Sequence, residues 1–345
     1  MSETEPQTIA VIGGGITGLA AAWTLSKEAP ARTRVVLFEA EGRLGGKIRT
    51  DEFGGGYIEA GPDSFLARHS WGVDLCRELG LADELVPPSV FGAALWIDGR
   101  LRSIPARLFF GIPTRPAACL SAPLTWRGRA RALGDLVRPG PLSGDDVSVA
   151  AFVRHRFGAE VLDRLVDPLL AGTRAGQPDE ISLAAALPQI DAIARSNKSV
   201  MRGLRKQSRD GSLAEGPPPF LAIRGGMQRL IEALQRELTE KVEFRTGVPV
   251  ESIRKSDGGY ELTGREPLRA QSVIVTAPAY DAARLLHDLS PVASRLLAGI
   301  EYTPSVSVTL SFPHGRIEVP PGTSGVLVPE GSGPTLAACT WWSAK

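Results

Sequence analysis

The chain has 345 residues, of which 43% are hydrophobic and 22% are charged, and its 39 basic and 38 acidic side chains leave a net charge of +1. This composition excludes a largely disordered chain, and the balanced charge excludes a global field that would attract nucleic acid or a membrane. At this length the chain is expected to form about two domains.

The first predicted element is a strand over residues 8–12, which runs into a glycine-rich turn and then a helix. Residues 34–39 form a second run rich in β-branched side chains and end in Glu39. Two strands joined through one helix must be parallel, so the chain opens as an α/β domain built on a βαβ unit.

Prolines are frequent between residues 67 and 138 and predict short, broken elements there. Helical periodicity returns over 145–166 and 179–208, and residues 216–219 read as a linker. The middle of the chain is therefore expected to be mainly helical.

The remaining part of the chain returns to alternating strands and helices. A Gly-Gly turn precedes an amphipathic helix that begins near Met227, and strands are predicted at 242–246 and 272–278. A helix is expected over 279–287, followed by a half-exposed strand at 306–312.

Three glycines stand in GxGxxG register between the first strand and the first helix, at Gly13, Gly15 and Gly18. The first permits a tight turn, the second lets the backbone approach a pyrophosphate, and the third lets helix and strand pack closely. Glu39 ends the next strand, where its carboxylate can accept hydrogen bonds from a ribose diol. A dinucleotide is favoured over a glycine-rich turn without a ligand.

The residues beyond Glu39 favour a flavin over a nicotinamide dinucleotide. Arg43 is followed by the pair Gly45 and Gly46, and GYIEAGPDSF occupies 56–65. A flavin that is buried along its length needs this further backbone close to its diphosphate and ring, although Gly45 and Gly46 alone would also suit an ordinary turn.

Metal and thiol chemistry are not predicted. The three cysteines lie far apart, which favours reduced thiols in a cytoplasmic protein. The N-terminus does not resemble an export signal, and no apolar stretch is long enough to span a membrane. The histidines have no partner at helical spacing and are interpreted as structural or surface residues: His69, His155, His287 and His314.

Six segments together resemble the protoporphyrinogen oxidase family of the flavin amine oxidase superfamily. They are GGGITG at 13–18, RLGGKIRT at 43–50, EAGPDSF at 59–65, WIDGRLRSIP at 96–105, DPLLAGTRAG at 167–176 and LAIRGGMQRLIEAL at 221–234. The last three separate this family from other amine oxidases and from phytoene desaturases.

The resemblance implies an α/β fold with three parts. A Rossmann-like FAD-binding domain would comprise 1–85 and 220–285, and a helical membrane-associated domain would comprise 125–215. A mixed-sheet substrate-binding domain would comprise 86–124 and 286–345. The protein would be cytoplasmic and peripheral on the inner face of the cell membrane. Basic stretches at 100–138 and 195–209 agree with this, although a solvated basic face would also explain them.

The resemblance also implies the roles of individual residues. The glycine loop would hold the diphosphate, and Glu39 would bind the ribose. Lys47 and the segment Gly61 to Ser64 would lie on the flavin side, and the Val250 backbone would contact the adenine. The implied cofactor-binding residues are Gly13, Gly14, Gly15, Ile16, Thr17, Gly18, Glu39, Ala40, Arg43, Lys47, Gly61, Pro62, Asp63, Ser64 and Val250.

The implied reaction is the FAD-dependent oxidation of protoporphyrinogen IX to protoporphyrin IX, with molecular oxygen as acceptor, in heme biosynthesis. Alternatives are oxidation of coproporphyrinogen III, the reaction of another flavin amine oxidase or desaturase, and an inactive fragment. No catalytic residue is predicted, because the flavin supplies the reactivity.

The sequence departs from the family pattern at the expected substrate carboxylates. Ala93 stands where many members have an arginine, and Arg174 stands where an aromatic residue is common. Arg174 would bind a propionate in place of the lost arginine, unless it is an ordinary surface charge.

Family members usually continue through the rest of the substrate sheet, whereas this sequence ends at CTWWSAK. We therefore expect a truncated chain with an incomplete FAD site and unpaired strand edges. Exposed apolar residues, including Trp341 and Trp342, would make it prone to aggregation.

Overall fold

The computed structural model describes residues 7–67, 69–90, 92–105, 107–137, 146–174, 176–209, 220–313 and 315–344. The chain divides into two compact units, the first formed by 1–87 with 217–311 and the second by 88–216 with 312–345. The predicted linker at 216–219 and His314 lie outside the described residues.

The strands of the described residues are, in chain order, β1 (Thr8–Ile12), β2 (Arg34–Glu39), β3 (Thr50–Phe53), β4 (Gly56–Glu59), β5 (Phe65–Leu66), β6 (Leu85–Val86), β7 (Ala93–Ile97), β8 (Arg100–Ser103), β9 (Leu108–Phe109), β10 (Ile112–Pro113), β11 (Phe220–Ile223), β12 (Val242–Thr246), β13 (Val250–Ser256), β14 (Gly259–Gly264), β15 (Leu268–Ala270), β16 (Ser272–Val275), β17 (Gly325–Leu327) and β18 (Ala338–Thr340).

The α-helices of the same residues are α1 (Ile16–Glu28), α2 (Trp71–Glu78), α3 (Pro116–Ser121), α4 (Trp126–Leu133), α5 (Val149–Arg156), α6 (Ala159–Val161), α7 (Asp167–Arg174), α8 (Leu183–Ala186), α9 (Pro188–Ser196), α10 (Val200–Arg209), α11 (Gln228–Leu238), α12 (Ala279–Leu285) and α13 (Pro291–Ala298).

A four-stranded parallel sheet organises the first unit, with the strand order β12-β2-β1-β16. Strand β1 pairs in parallel with β2 on one side and with β16 on the other. The βαβ unit and the strand predicted at 242–246 are therefore present, and the strand predicted at 272–278 is present but ends at Val275. Because the strands are parallel, their carboxyl ends meet at one edge of the sheet.

The two faces of this sheet carry different partners, as the alternation of side chains along a strand requires. On one face, Val11, Val35 and Leu37 pack with buried residues of α1 and α11. On the other face, Ile12 and Phe38 pack with apolar residues of β13, β14 and α12. The sheet is thus covered by helices on one side and mainly by the antiparallel sheet β13-β14-β15 on the other.

The predicted strand at 306–312 is wrong, because the described residues there form no regular structure. Val306, Val308 and Leu310 are 89%, 75% and 70% exposed. A strand requires backbone hydrogen bonds to a neighbour, and an alternating sequence pattern cannot supply that neighbour.

The second unit combines a mixed sheet of order β18-β17-β7-β8 with helices α3 to α10. The helical character predicted for the middle of the chain is confirmed, but the helices are shorter than the periodicity indicates. Gly158, at a φ of 96°, separates α5 from α6, and a π-helical turn over Leu162–Val166 joins α6 to α7. Pro188 opens α9 directly after α8, as proline does at the first position of a helix.

A buried ion pair lies in the second unit. Asp135 is 0% exposed and Arg156 is 3% exposed, and Arg156 Nη1 lies 3.6 Å from Asp135 Oδ1. Asp135 also accepts hydrogen bonds from Ser199 Oγ at 2.8 Å and from the Met201 amide at 2.9 Å, at the start of α10. One carboxylate therefore connects three segments of this unit.

Candidate functional site

A cavity of about 1040 Å³ opens in the first unit, at the carboxyl edge of the parallel sheet. Its wall contains residues that follow the strands: Gly13 and Gly15 to Thr17 after β1, Glu39 to Glu41 at β2, Val248 to Val250 after β12, and Thr276 to Pro278 after β16. Strand order reverses at β1, and ligands of open α/β sheets bind in the crevice at such a switch point.

The glycine loop after β1 has the geometry that its sequence predicts. Gly13 has a φ of 111°, a conformation that favours glycine, and a Cβ on Gly18 would lie only 1.8 Å from the Gly13 carbonyl oxygen. A Cβ on Gly15, by contrast, would have Gly46 Cα, at 4.0 Å, as its nearest contact. The space beside Gly15 is therefore open toward the cavity.

Thr276 holds this loop from a distant part of the sequence. Its Oγ1 lies 2.9 Å from the Ile12 carbonyl oxygen and 3.1 Å from that of Gly13, so the hydroxyl can donate to either. Thr276 also lines the cavity. Sequence reasoning missed this role, since the only signal was a threonine within the strand predicted at 272–278.

The Glu39 carboxylate is held at the cavity wall by backbone amides. The Gly14 amide donates to Oε2 at 2.7 Å, and the Glu41 amide donates to Oε1 at 2.8 Å. A carboxylate offers about four acceptor positions, so two remain for the hydroxyl groups of a ligand.

The second glycine pair contacts the first loop. The Gly45 amide donates to the Gly14 carbonyl oxygen at 2.8 Å, and Gly45 and Gly46 have positive φ angles of 111° and 55°. Arg43 donates to the carbonyl oxygens of Gly46 at 2.5 Å and Ile48 at 3.2 Å. Arg43 thus orders the loop that faces Gly15 and is itself outside the cavity lining.

The GPDS segment packs on the same loop. A Cβ on Gly61 would lie 1.8 Å from the Lys47 carbonyl oxygen, so only glycine permits this approach. Lys47 Nζ lies 5.8 Å from the centroid of the Tyr302 ring, and the Tyr302 hydroxyl accepts from the Ala279 amide at 2.9 Å. Lys47 and Tyr302 both line the cavity.

Ten of the fifteen predicted cofactor-binding residues line the cavity: Gly13, Gly15, Ile16, Thr17, Glu39, Ala40, Lys47, Pro62, Ser64 and Val250. The other five lie behind this wall or beside it: Gly14, Gly18, Arg43, Gly61 and Asp63. The lining residues that sequence reasoning missed include Thr276, Tyr280, Asp281, Arg284 and Tyr302.

Arg174 is the last residue of α7, in the second unit, and its side chain is not among those described. His69 lies at the cavity wall and stacks on Trp71 with ring centroids 5.0 Å apart. The described contact of the His69 ring is therefore with another aromatic ring.

Within the described ranges, no group of three or more His, Cys, Asp or Glu side chains has a geometry that would hold a metal ion. Burial raises the pKa of the Cys76 thiol to about 11, and burial, with a smaller contribution from Asp135, raises that of Cys119 to about 11. Both thiols are therefore protonated at neutral pH and unsuited to nucleophilic chemistry.

These features fit a dinucleotide with a flavin. The cavity volume lies at the upper end of the range of about 300 to 1,000 Å³ for small-molecule and cofactor pockets. The open space at Gly15 leaves room for a diphosphate beside the start of α1, where helix amides favour anions. The Glu39 carboxylate suits a ribose diol. The fold and the site thus define a protein of the dinucleotide-binding class, with a cavity that suits FAD.

The chain matches the profile of the flavin containing amine oxidoreductase family over residues 16–337. Coproporphyrinogen III oxidase of Bacillus subtilis is 34% identical over 98% of this chain and 73% of its own length. Protoporphyrinogen oxidase 1 of Spinacia oleracea chloroplasts is 33% identical over 89% of this chain and 56% of its own length.

The structure is also similar to solved ones. A protein of Exiguobacterium sp. 255-15, proposed to be a protoporphyrinogen oxidase, matches with a TM-score of 0.81 and 29% identity over 100% of this chain and 74% of that one. Cyclohexylamine oxidase of Brevibacterium oxydans shares the fold, with a TM-score of 0.59 and 20% identity over 85% of this chain and 63% of that one.

The chain belongs to the flavin containing amine oxidoreductase family. It is an FAD-dependent oxidoreductase, and the resemblance to the porphyrinogen-oxidising members is confirmed.

Proposed function

We propose that this protein oxidises a porphyrinogen to the corresponding porphyrin in heme biosynthesis, with molecular oxygen as the acceptor. The observation that carries the proposal is the 34% identity to a coproporphyrinogen III oxidase over 98% of the chain. Bound FAD supplies the chemistry, as an acceptor of the hydrogens that leave the macrocycle.

In this proposal, residues of the chain bind FAD and orient it. The glycine loop with Gly15 holds the diphosphate, and the fixed carboxylate of Glu39 accepts the ribose hydroxyls. Lys47 and the segment Gly61 to Ser64 lie on the flavin side, and the Val250 backbone lies on the adenine side. The first compact unit would then be the FAD-binding part of the protein.

Protoporphyrinogen IX and coproporphyrinogen III are both substrates to test, because relatives named for each are similarly identical to this chain, at 33% and 34%. The two compounds share the macrocycle and differ in the number of carboxylates. Incubation of the flavin-loaded protein with each porphyrinogen in air would yield a porphyrin, measured by its fluorescence above a flavin-free control. Equal rates of porphyrin formation with the flavin-loaded protein and with the flavin-free control would contradict the proposal.

Arg174 is proposed to bind a propionate of the substrate, since a guanidinium can hold a carboxylate through two hydrogen bonds. Replacing Arg174 with Ala would raise KM for the preferred porphyrinogen by about 10- to 100-fold, because a hydrogen bond to a charged group contributes about 1.5–3 kcal/mol. Steady-state kinetics measure this, with Arg100→Ala, in the exposed strand β8 of the same unit, as the control. If both variants kept the wild-type KM, Arg174 would be an ordinary surface charge and would not bind the substrate.

Peripheral attachment to an anionic membrane is proposed for the helical part over 125–215, while 86–124 and 286–345 would bind substrate. Trp126 in α4 is 73% exposed. The Arg127 guanidinium lies 5.1 Å from the Trp126 ring centroid, which places a cation beside an interfacial aromatic residue. Among the described residues, no helix is both long and apolar enough to cross a bilayer.

Flotation with vesicles tests this surface. The protein would float with phosphatidylglycerol vesicles more than with phosphatidylcholine vesicles, and Trp126→Ser with Arg127→Ser would reduce the bound fraction. The control is Tyr57→Ser, since Tyr57 is 62% exposed, lies in the other unit and is absent from the described cavity lining. Equal binding by the double variant and the control would contradict the attachment surface.

A further inference from the structure

Helix α12 forms one wall of the cavity at the end marked by Glu39. Its residue Leu285 belongs to the same buried cluster as Phe38, Val248 and Val250. The Val248 amide donates to the Glu39 carbonyl oxygen at 3.0 Å. The last turn of α12 therefore lies beside the residues that the proposed cofactor site assigns to ribose and adenine, and we refer to this part of the cavity as the adenosine end.

Arg284 is the basic side chain that α12 contributes to the cavity wall. It is 57% exposed, and its described polar contact is a 3.4 Å interaction between Nη2 and Oδ1 of Asp281, one turn earlier. Asp281 also lines the cavity. A contact of this length orients the guanidinium loosely and leaves its flat face available to a ligand.

The charge at the adenosine end makes a phosphate an unsuitable partner for this arginine. The acidic residues of the described cavity lining are Glu39, Glu41 and Asp281, and their carboxylates would repel an anion. A guanidinium instead stacks well on an aromatic ring, and the adenine is the aromatic group that a dinucleotide would bring to this end. Lys47, the other Lys or Arg side chain in the described lining, contacts Tyr302.

We propose that Arg284 contacts the adenine of FAD through its guanidinium, and that this contact contributes to the selection of FAD over FMN. The inference rests on the proposed orientation of the cofactor, with ribose at Glu39. In this proposal Arg284 affects the affinity for the cofactor and takes no part in the reaction.

The test is the affinity of the flavin-free protein for FAD and for FMN, measured by quenching of flavin fluorescence. Arg284→Ala should raise Kd for FAD by about 3- to 30-fold, the range expected for a cation–π contact, and change Kd for FMN by less than about twofold. Arg284→Lys should recover only part of the affinity for FAD, because an ammonium keeps the attraction to an aromatic ring but lacks the flat face that stacks on it.

Arg254→Ala is the matched control. Arg254 is 61% exposed, pairs with Asp288 at 3.4 Å, and is absent from the described cavity lining. It should leave both Kd values unchanged.

Three results would overturn the proposal: an unchanged Kd for FAD in Arg284→Ala, equal weakening of FAD and FMN, or full recovery in Arg284→Lys. If the proposed cofactor site were wrong, the wild-type protein and Arg254→Ala would also show no preference for FAD over FMN. That result differs from a failure of the Arg284 proposal alone.

Discussion

Gly15→Val should fold like the wild-type protein and lose FAD. Gly15 has a φ of −71° and a ψ of 178°, which valine readily adopts, and an added Cβ would have Gly46 Cα, at 4.0 Å, as its nearest contact. The side chain would fill the space that the diphosphate requires. Loss of two hydrogen bonds to a charged phosphate, each contributing about 1.5–3 kcal/mol, would weaken FAD binding by at least about 100-fold.

The measurement is the ratio of flavin to protein absorbance after purification, together with the thermal unfolding midpoint of the flavin-free protein. Gly42→Val is the matched control, since an added Cβ there would meet no atom within 4 Å and the residue is exposed. It should retain the cofactor. Stoichiometric flavin in Gly15→Val would show that the diphosphate does not bind at this loop.

Asp135→Ala should destabilise the second unit by about 3–5 kcal/mol, because it would remove the buried carboxylate that lies against the buried Arg156 guanidinium. Arg156 is 3% exposed and donates to the Lys198 carbonyl oxygen at 2.9 Å, so it cannot turn to solvent without breaking that bond. The substitution also removes the acceptor for the Ser199 hydroxyl and the Met201 amide.

Urea unfolding followed by circular dichroism measures this cost. The control is Asp179→Ala, which removes the partner of Arg154 in a surface pair with side chains 58% and 47% exposed. Such a pair contributes less than about 1 kcal/mol. Similar losses of stability in the two variants would mean that the buried pair does not organise this unit.

The sequence was informative where structure depends on neighbouring residues. The spacing of Gly13, Gly15 and Gly18 requires a strand before it and a helix after it, and Glu39 follows from the length of one βαβ unit. These residues lie within about thirty positions of one another, so local patterns were enough to place them at one edge of the sheet.

The parts that were missed depend on contacts between distant segments. Thr276 reaches the glycine loop from 263 positions away. Arg284 lines the cavity because α12 packs on the sheet face opposite α1, and a local sequence pattern cannot predict on which face a helix packs. The error at 306–312 has the same cause, because an alternating pattern does not reveal which strand would pair with it, and the described residues form no strand there.

An anaerobic titration of the flavin-loaded protein with protoporphyrinogen IX, and separately with coproporphyrinogen III, tests the central claim most directly. We expect at least one porphyrinogen to bleach the flavin absorbance while a porphyrin forms, and we expect admission of oxygen to restore the oxidised flavin. A flavin that stays oxidised with both porphyrinogens, but is reduced by an amine or a polyene, would contradict the account.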